Sequence, residues 1–257
     1  MTSGARLVFP VMGTVASLVI AGQDVDRLGR PEADAALQST RELLESMDRR
    51  FSHYRRDSDI SRWIAGDDVS AGAAAEIAHV LRECGRLHAE SDGVFRARNP
   101  RTGTLDTAGY VKGYAIGRAA AHLQEHGVAD FMAGVGGDVH CGGRAAEGRP
   151  WRVAIQDPRA SHGVIALVEA TDSAVATSGT AERGDHIWSV GTHPADGGLR
   201  SFTVVGPCIA EADAYATVGF ALGEAGMEWV RSHDGYRSLV VRTDGTVRSD
   251  AALVSAA

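Results

Sequence analysis

Lysine is almost missing from this chain: of its 26 basic residues, 25 are arginine and Lys112 stands alone. Asparagine is as scarce, with Asn99 the single example, while alanine and glycine are abundant. A biased base composition in the coding DNA explains such a swap wherever Arg serves as well as Lys. A Lys that survives the bias is a candidate for a place where a compact ammonium cannot be replaced by a flat guanidinium. Cysteine is also sparse. Cys84, Cys141 and Cys208 lie far apart, are odd in number and form no CxxC pair, which excludes a disulfide framework or a zinc site and suits reduced thiols in the cytoplasm. No stretch reaches the roughly 18–20 apolar residues of a membrane span. The N-terminal run through Ile20 is broken by Pro10, Gly13 and Thr14 and is expected to be a strand and not a signal peptide. Positive charge is short as well: the net charge of −7 argues against nucleic acid and anionic membrane surfaces as partners.

What is present is an ordinary globular composition, 44% hydrophobic and 23% charged, over 257 residues. No repeat or Pro/Gly/Ser-rich linker divides it, so one domain spanning 1–257 is expected, or two intimate lobes meeting near residue 127. Apolar residues near a 3.6 spacing predict helices over Pro31–Phe51 and Ser70–Ala89, and a third over Gly113–His126. Asp57-Ser58 is placed to cap a short helix. Met12–Ile20 is expected as a strand. Beyond residue 130 short β-type runs follow: Phe131–Val135, Trp151–Gln156, Val164–Ala170, Ala174–Thr177, His186–Val190 and Phe202–Gly206. A helix from Ala210 to about Leu222, a short one near Trp229 and strands around Leu239 and Val247 complete the order. Helices, then a meander of strands, then helix and strands predict an α+β fold with a largely antiparallel sheet and flanking helices.

Four clusters carry candidate chemistry. In Leu105–Tyr114 a carboxylate, Asp106, precedes a glycine and the sole Lys at the expected start of a helix; this is a phosphate-holding arrangement or a turn with a surface Lys. Gly134-Val135-Gly136-Gly137-Asp138 lacks the dinucleotide fingerprint and is a tight turn or a place of close backbone approach to a ligand. Ala176-Thr177-Ser178-Gly179, with His186 beyond, offers hydroxyls, N–H groups and a proton carrier, or a structural strand end. In Glu211–Thr217 the Asp213 and Thr217 oxygens fall on one side of a helix. That pair suits Mg²⁺, or else reflects a cap and a Thr bonded back to its own helix. Together the clusters indicate a nucleotide or phosphate ligand and a hard metal.

In order, Met12-Gly13-Thr14, Phe51–Tyr54 with Asp57–Ser61, Asp92–Phe95, Leu105–Tyr114, Val135–Asp138, Trp151–Pro158, Ala176–Gly179, His186-Ile187 and Ala212–Thr217 resemble the ApbE family, the FAD:protein FMN transferases. The resemblance runs from about residue 10 to 245. It implies cleavage of FAD with a divalent cation, Mg²⁺ or another, and transfer of FMN to a Thr or Ser of a target flavoprotein with release of AMP. Residue by residue, it implies FAD contacts at Met12, Tyr54, Asp106, Lys112, Thr177, Ser178 and Gly179. It implies metal ligands at Asp213, Thr217 and the Gly109 carbonyl, and catalytic roles for Asp213 and for His186, which would handle the acceptor proton. A Mg²⁺-dependent FAD pyrophosphatase, or a flavin carrier without catalysis, are the alternatives. Two departures stand out: only ten residues separate Phe95 from Asp106, with Arg96 where an acidic residue is usual, and Trp188–Pro194 replaces the family's usual turn. Lys112→Arg is expected to impair FAD use; FAD binding and turnover equal to wild type would make the lone lysine incidental.

Overall fold

In the computed structural model of the chain, residues 3–99, 103–159, 163–179 and 198–250 are described. The architecture is α+β, as the sequence predicts. One sheet of eight antiparallel strands has the order β1 (Ala5–Val11), β2 (Thr14–Ile20), β3 (Phe131–Val135), β4 (Asp138–Gly142), β7 (Ser173–Gly179), β8 (Leu199–Gly206), β9 (Arg237–Arg242), β10 (Val247–Ser249). A separate hairpin, β5 (Trp151–Gln156) with β6 (Val164–Ala170), leaves the sheet after β4 and returns at β7. The N-terminal run makes two strands and not one. Met12 and Gly13 both take positive φ (52° and 70°) and turn β1 onto β2, with Val11 opposite Thr14. The strand β4 is given no range among the expected elements, although a strand is expected after the glycine cluster. It follows the Gly136-Gly137 turn, where φ values of 60° and 93° favour glycine.

Side-chain alternation explains why the central strands are apolar on both faces. Ala174, Ala176, Phe202, Val204 and Val240 point to the helical side and join the larger core. Val175, Leu239 and Val241, one residue out of step, pack with Trp151, Val153, Ile155, Ala166 and Val168 of the hairpin. The helical layer comprises α1 (Gly22–Leu28), α2 (Arg30–Phe51), α3 (Asp59–Ala65), α4 (Ala71–Glu90), α5 (Ala108–Glu125), α6 (Ile209–Leu222) and α7 (Ala225–Arg231). Ser58 and Ser70 cap α3 and α4 by accepting the N–H groups of Ser61 and Ala73. The helix α5 begins five residues before the expected Gly113, so Lys112 lies inside it and does not open it.

The helix α6 is buried almost all round, between the sheet and α5. Glycine sets how closely the two helices pack. A Cβ on Gly113 would lie 2.7 Å from the Ile209 carbonyl oxygen, 2.8 Å from the Ala210 Cα and 2.8 Å from the Asp213 Cβ. Gly113→Ala is therefore expected to destabilise the fold by about 1–3 kcal/mol, because backbone must move to admit the methyl. Gly85→Ala, on an exposed turn of α4 with nothing within 4 Å, is expected to gain about 0.5–1 kcal/mol. Denaturant unfolding of the two variants checks both, and a silent Gly113→Ala would refute the close crossing.

Candidate active site

The close crossing of α5 and α6 brings charge together in the interior. Lys112 extends from α5, Asp213 from α6 and Asp138 from the first position of β4. The Lys112 Nζ lies 2.5 Å from Asp138 Oδ2 and 3.4 Å from Asp213 Oδ1, and the three side chains are only 11%, 1% and 4% exposed. Each carboxylate spends its other oxygen on a main-chain N–H: Thr177 donates to Asp138 Oδ1 and Gly113 donates to Asp213 Oδ2, both at 2.8 Å. Burial pushes the Asp138 carboxyl above the usual carboxylate range and the Lys112 ammonium opposes that rise, while the Asp213 charge adds to it.

The strand β7 supplies hydroxyls to the same place. Ser178 Oγ lies 3.3 Å from Thr217 Oγ1, and Thr217 donates its own hydrogen back to the Asp213 carbonyl at 3.2 Å. Of the alternative reading of the Asp213/Thr217 pair, the Thr hydrogen is indeed used within its own helix, but Asp213 lies inside α6 and is no cap. Thr177 turns the other way, its hydroxyl 2.9 Å from that of Thr203. Gly179 ends β7 where a Cβ would sit 2.6 Å from the Arg200 carbonyl oxygen. Gly109 lies one turn before Gly113 on α5, facing the Phe95 ring.

The remaining sequence candidates among the described residues make their contacts outside this cluster. Asp106 precedes α5 and accepts the Ala108 N–H at 2.9 Å. Met12 holds the β1–β2 turn and packs part-buried on the core. Tyr54 is 96% exposed on the α2–α3 connection. His186 lies outside the described residues. Arg96 folds back onto the Gly93 carbonyl at 2.8 Å, and the Asn99 N–H donates to the Thr104 carbonyl.

Two residues gain a place that sequence reasoning did not assign. Asp138 was visible only as the end of a glycine turn, and its partners are remote in sequence. His53, next to Tyr54, takes the Thr107 N–H at 3.2 Å and lies 3.0 Å from the Thr107 hydroxyl. It thereby ties the α2–α3 connection to the start of α5, where the Thr107 side chain makes no cap of its own.

Among the described residues no group of three or more His, Cys, Asp or Glu side chains is arranged to hold a metal. The donor set nevertheless fits one hard cation. With all three groups ionised, two carboxylates face one ammonium. That excess negative charge stands beside the Thr217 and Ser178 oxygens. Magnesium commonly takes few protein oxygens and completes its shell with phosphate and water.

The chain matches the ApbE family over residues 12–99 and 96–240. It belongs to the ApbE family. It is 31% identical over 151 residues to the FAD:protein FMN transferase of Salmonella typhimurium, a match covering 55% of this chain and 43% of that protein. It thus spans less than half the length of that relative. It is 24% identical over 293 residues to the FAD:protein FMN transferase of Vibrio cholerae, covering 91% and 86%. The crystal structure of the ApbE protein from Thermotoga maritima superposes with a TM-score of 0.77 at 19% identity, covering 96% of each chain. No helix among the described residues is long and apolar enough to cross a membrane.

The His53 contact makes stability depend on pH in this ApbE-family fold. To accept the Thr107 N–H, the ring nitrogen must be unprotonated, and burial lowers the His53 pKa below its ordinary 6.5 while Asp106 pulls it partly back. The unfolded chain binds the proton first, so the stabilisation is whole above about pH 6.5 and is lost as the pH falls below it. Between pH 7.5 and 5.5 the wild-type melting temperature is expected to drop more than that of His53→Gln. Equal drops would remove His53 from the clamp.

Proposed function

We propose that this chain transfers FMN from FAD to a serine or threonine hydroxyl of a target flavoprotein and releases AMP. The observation that carries the reading is the buried Lys112, Asp138 and Asp213 cluster beside the β7 hydroxyls, in a chain of the ApbE family. In the reaction the acceptor oxygen bonds to the phosphorus of the FMN half. The diphosphate P–O bond breaks, and AMP leaves with the bridging oxygen. Such a transfer needs positioning and charge neutralisation more than covalent help from the protein.

Asp213 and Thr217 would hold a divalent cation, Mg²⁺ by preference, together with the Gly109 carbonyl, and the cation would draw charge from the phosphate oxygens. The Gly113 N–H holds one Asp213 oxygen in place, so the other keeps a fixed direction. Ser178, Gly179 and the Thr177 main chain would line the diphosphate, with Lys112 adding positive charge beneath it. Asp106, Met12 and the exposed Tyr54 would contact the rest of FAD. His186 would take the proton of the acceptor hydroxyl. Cys84, Cys141 and Cys208 are free thiols, the last of them exposed, which supports a reducing compartment, and we place the protein in the cytoplasm.

Mass spectrometry tests the reading directly. After incubation with FAD, Mg²⁺ and an acceptor flavoprotein domain encoded beside this chain, the acceptor is expected to gain one FMN less one water on a single Thr or Ser. Asp213→Ala should lower that rate on the order of 100-fold or more. FMN and AMP released equally well without acceptor would make the enzyme a pyrophosphatase. Bound FAD that stays intact beside an unmodified acceptor would overturn catalysis altogether.

A further inference from the structure

The Lys112 ammonium faces a choice between two carboxylates, and the structure shows which it takes. It lies 2.5 Å from Asp138 and 3.4 Å from Asp213. Asp138 is fixed in place. Its other oxygen accepts the Thr177 N–H at 2.8 Å, and the residue is buried at the start of β4, directly after a tight turn. Asp213 likewise has Oδ2 occupied by the Gly113 N–H, so Oδ1 is the oxygen for which the ammonium and any cation would compete.

We infer that Asp138 is a positioning residue that holds the Lys112 ammonium off Asp213 and so keeps the Asp213 carboxylate open to a divalent cation. The inference rests on the proposed reading of Asp213 as a cation ligand and extends it to a residue that touches neither cation nor substrate. Its physics is competition. Like charges repel and opposite charges attract most strongly where water is excluded. With the Asp138 charge removed, the nearest carboxylate left for the ammonium among the described residues is Asp213, at the oxygen the cation needs. With the ammonium removed, that oxygen has no rival.

The test measures Mn²⁺ affinity, by the electron paramagnetic resonance signal of free Mn²⁺, without nucleotide, so that the ammonium has no phosphate to hold. It compares wild type, Asp138→Asn, Lys112→Met and the double variant, with thermal melts alongside. Asp138→Asn is expected to weaken Mn²⁺ about tenfold and Lys112→Met to tighten it. The double variant should bind Mn²⁺ as tightly as Lys112→Met, because Asp138 acts on the cation only through the ammonium. A merely structural ion pair would weaken binding in both single variants without recovery in the double, and that result overturns the inference. If Asp138→Asn does not fold, Lys112→Met decides alone: tighter Mn²⁺ supports the competition, and unchanged or weaker Mn²⁺ refutes it. Wild type that binds no Mn²⁺ would instead remove the cation from Asp213, and with it the premise.

Discussion

The ion cluster of Lys112, Asp138 and Asp213 is the constraint on which the centre of the molecule depends. Three ionisable groups removed from water are costly, and the cost is offset only where each finds partners of good geometry. Here the ammonium bridges two carboxylates, and each carboxylate adds a main-chain N–H. Those contacts join α5, α6, β4 and β7 at one point. Burying any one of the three charges without the others would leave an uncompensated ion, so the elements that carry them must arrive together. A buried ion cluster is weak evidence of stability. It is better evidence of a specified arrangement, and the sheet and helices supply the apolar burial around it.

Close helix packing makes the cluster reachable. The Gly113 N–H can donate to the Asp213 carboxylate because no side chain separates α5 from α6 at that point. A helix such as α6, apolar on nearly every side, can hold a single buried ion only where its neighbour approaches at backbone distance. The same closeness keeps Asp213 and Thr217 facing β7, so that hydroxyls from a strand and a helix lie within hydrogen-bond reach. Packing therefore decides the donor set, and the donor set decides what chemistry the site supports.

Much of the fold was readable where the signal is local. The Ser58 cap acts as its hydroxyl suggests, and the expected strands of the second half fall in place among the described residues, His186–Val190 lying outside them. Three elements differ from expectation, two of them for non-local reasons. The helix α5 starts early although Gly109, Gly113 and Gly117 disfavour helix, because tertiary packing against α6 outweighs propensity. The first strand was merged with the second because Met12, an unusual residue at positive φ, hides the turn. The short β4 carries Asp138, His140 and glycine, a poor strand pattern that pairing on both sides rescues. In the candidate site, residue types and helical spacing marked Asp213, Thr217, Ser178 and Lys112. Asp138 escaped because nothing near it in sequence reveals an ammonium donated from another element.

That ammonium also gives a physical account of the lone lysine. The interior between Asp138 and Asp213 offers a point charge two acceptors at unequal distance on different elements, with little exposed surface to admit anything larger. A guanidinium spreads its charge over a plane and carries five N–H donors, each of which needs a partner when buried. The two carboxylates have one oxygen apiece to spare, since the Thr177 and Gly113 N–H groups hold the others. Arginine would bring more donors than these two carboxylates have oxygens to spare, and its flat fork suits a single carboxylate better than two approached from different elements. A composition that replaced lysine almost everywhere else met at position 112 a geometry that a compact tetrahedral cation satisfies and a planar one does not.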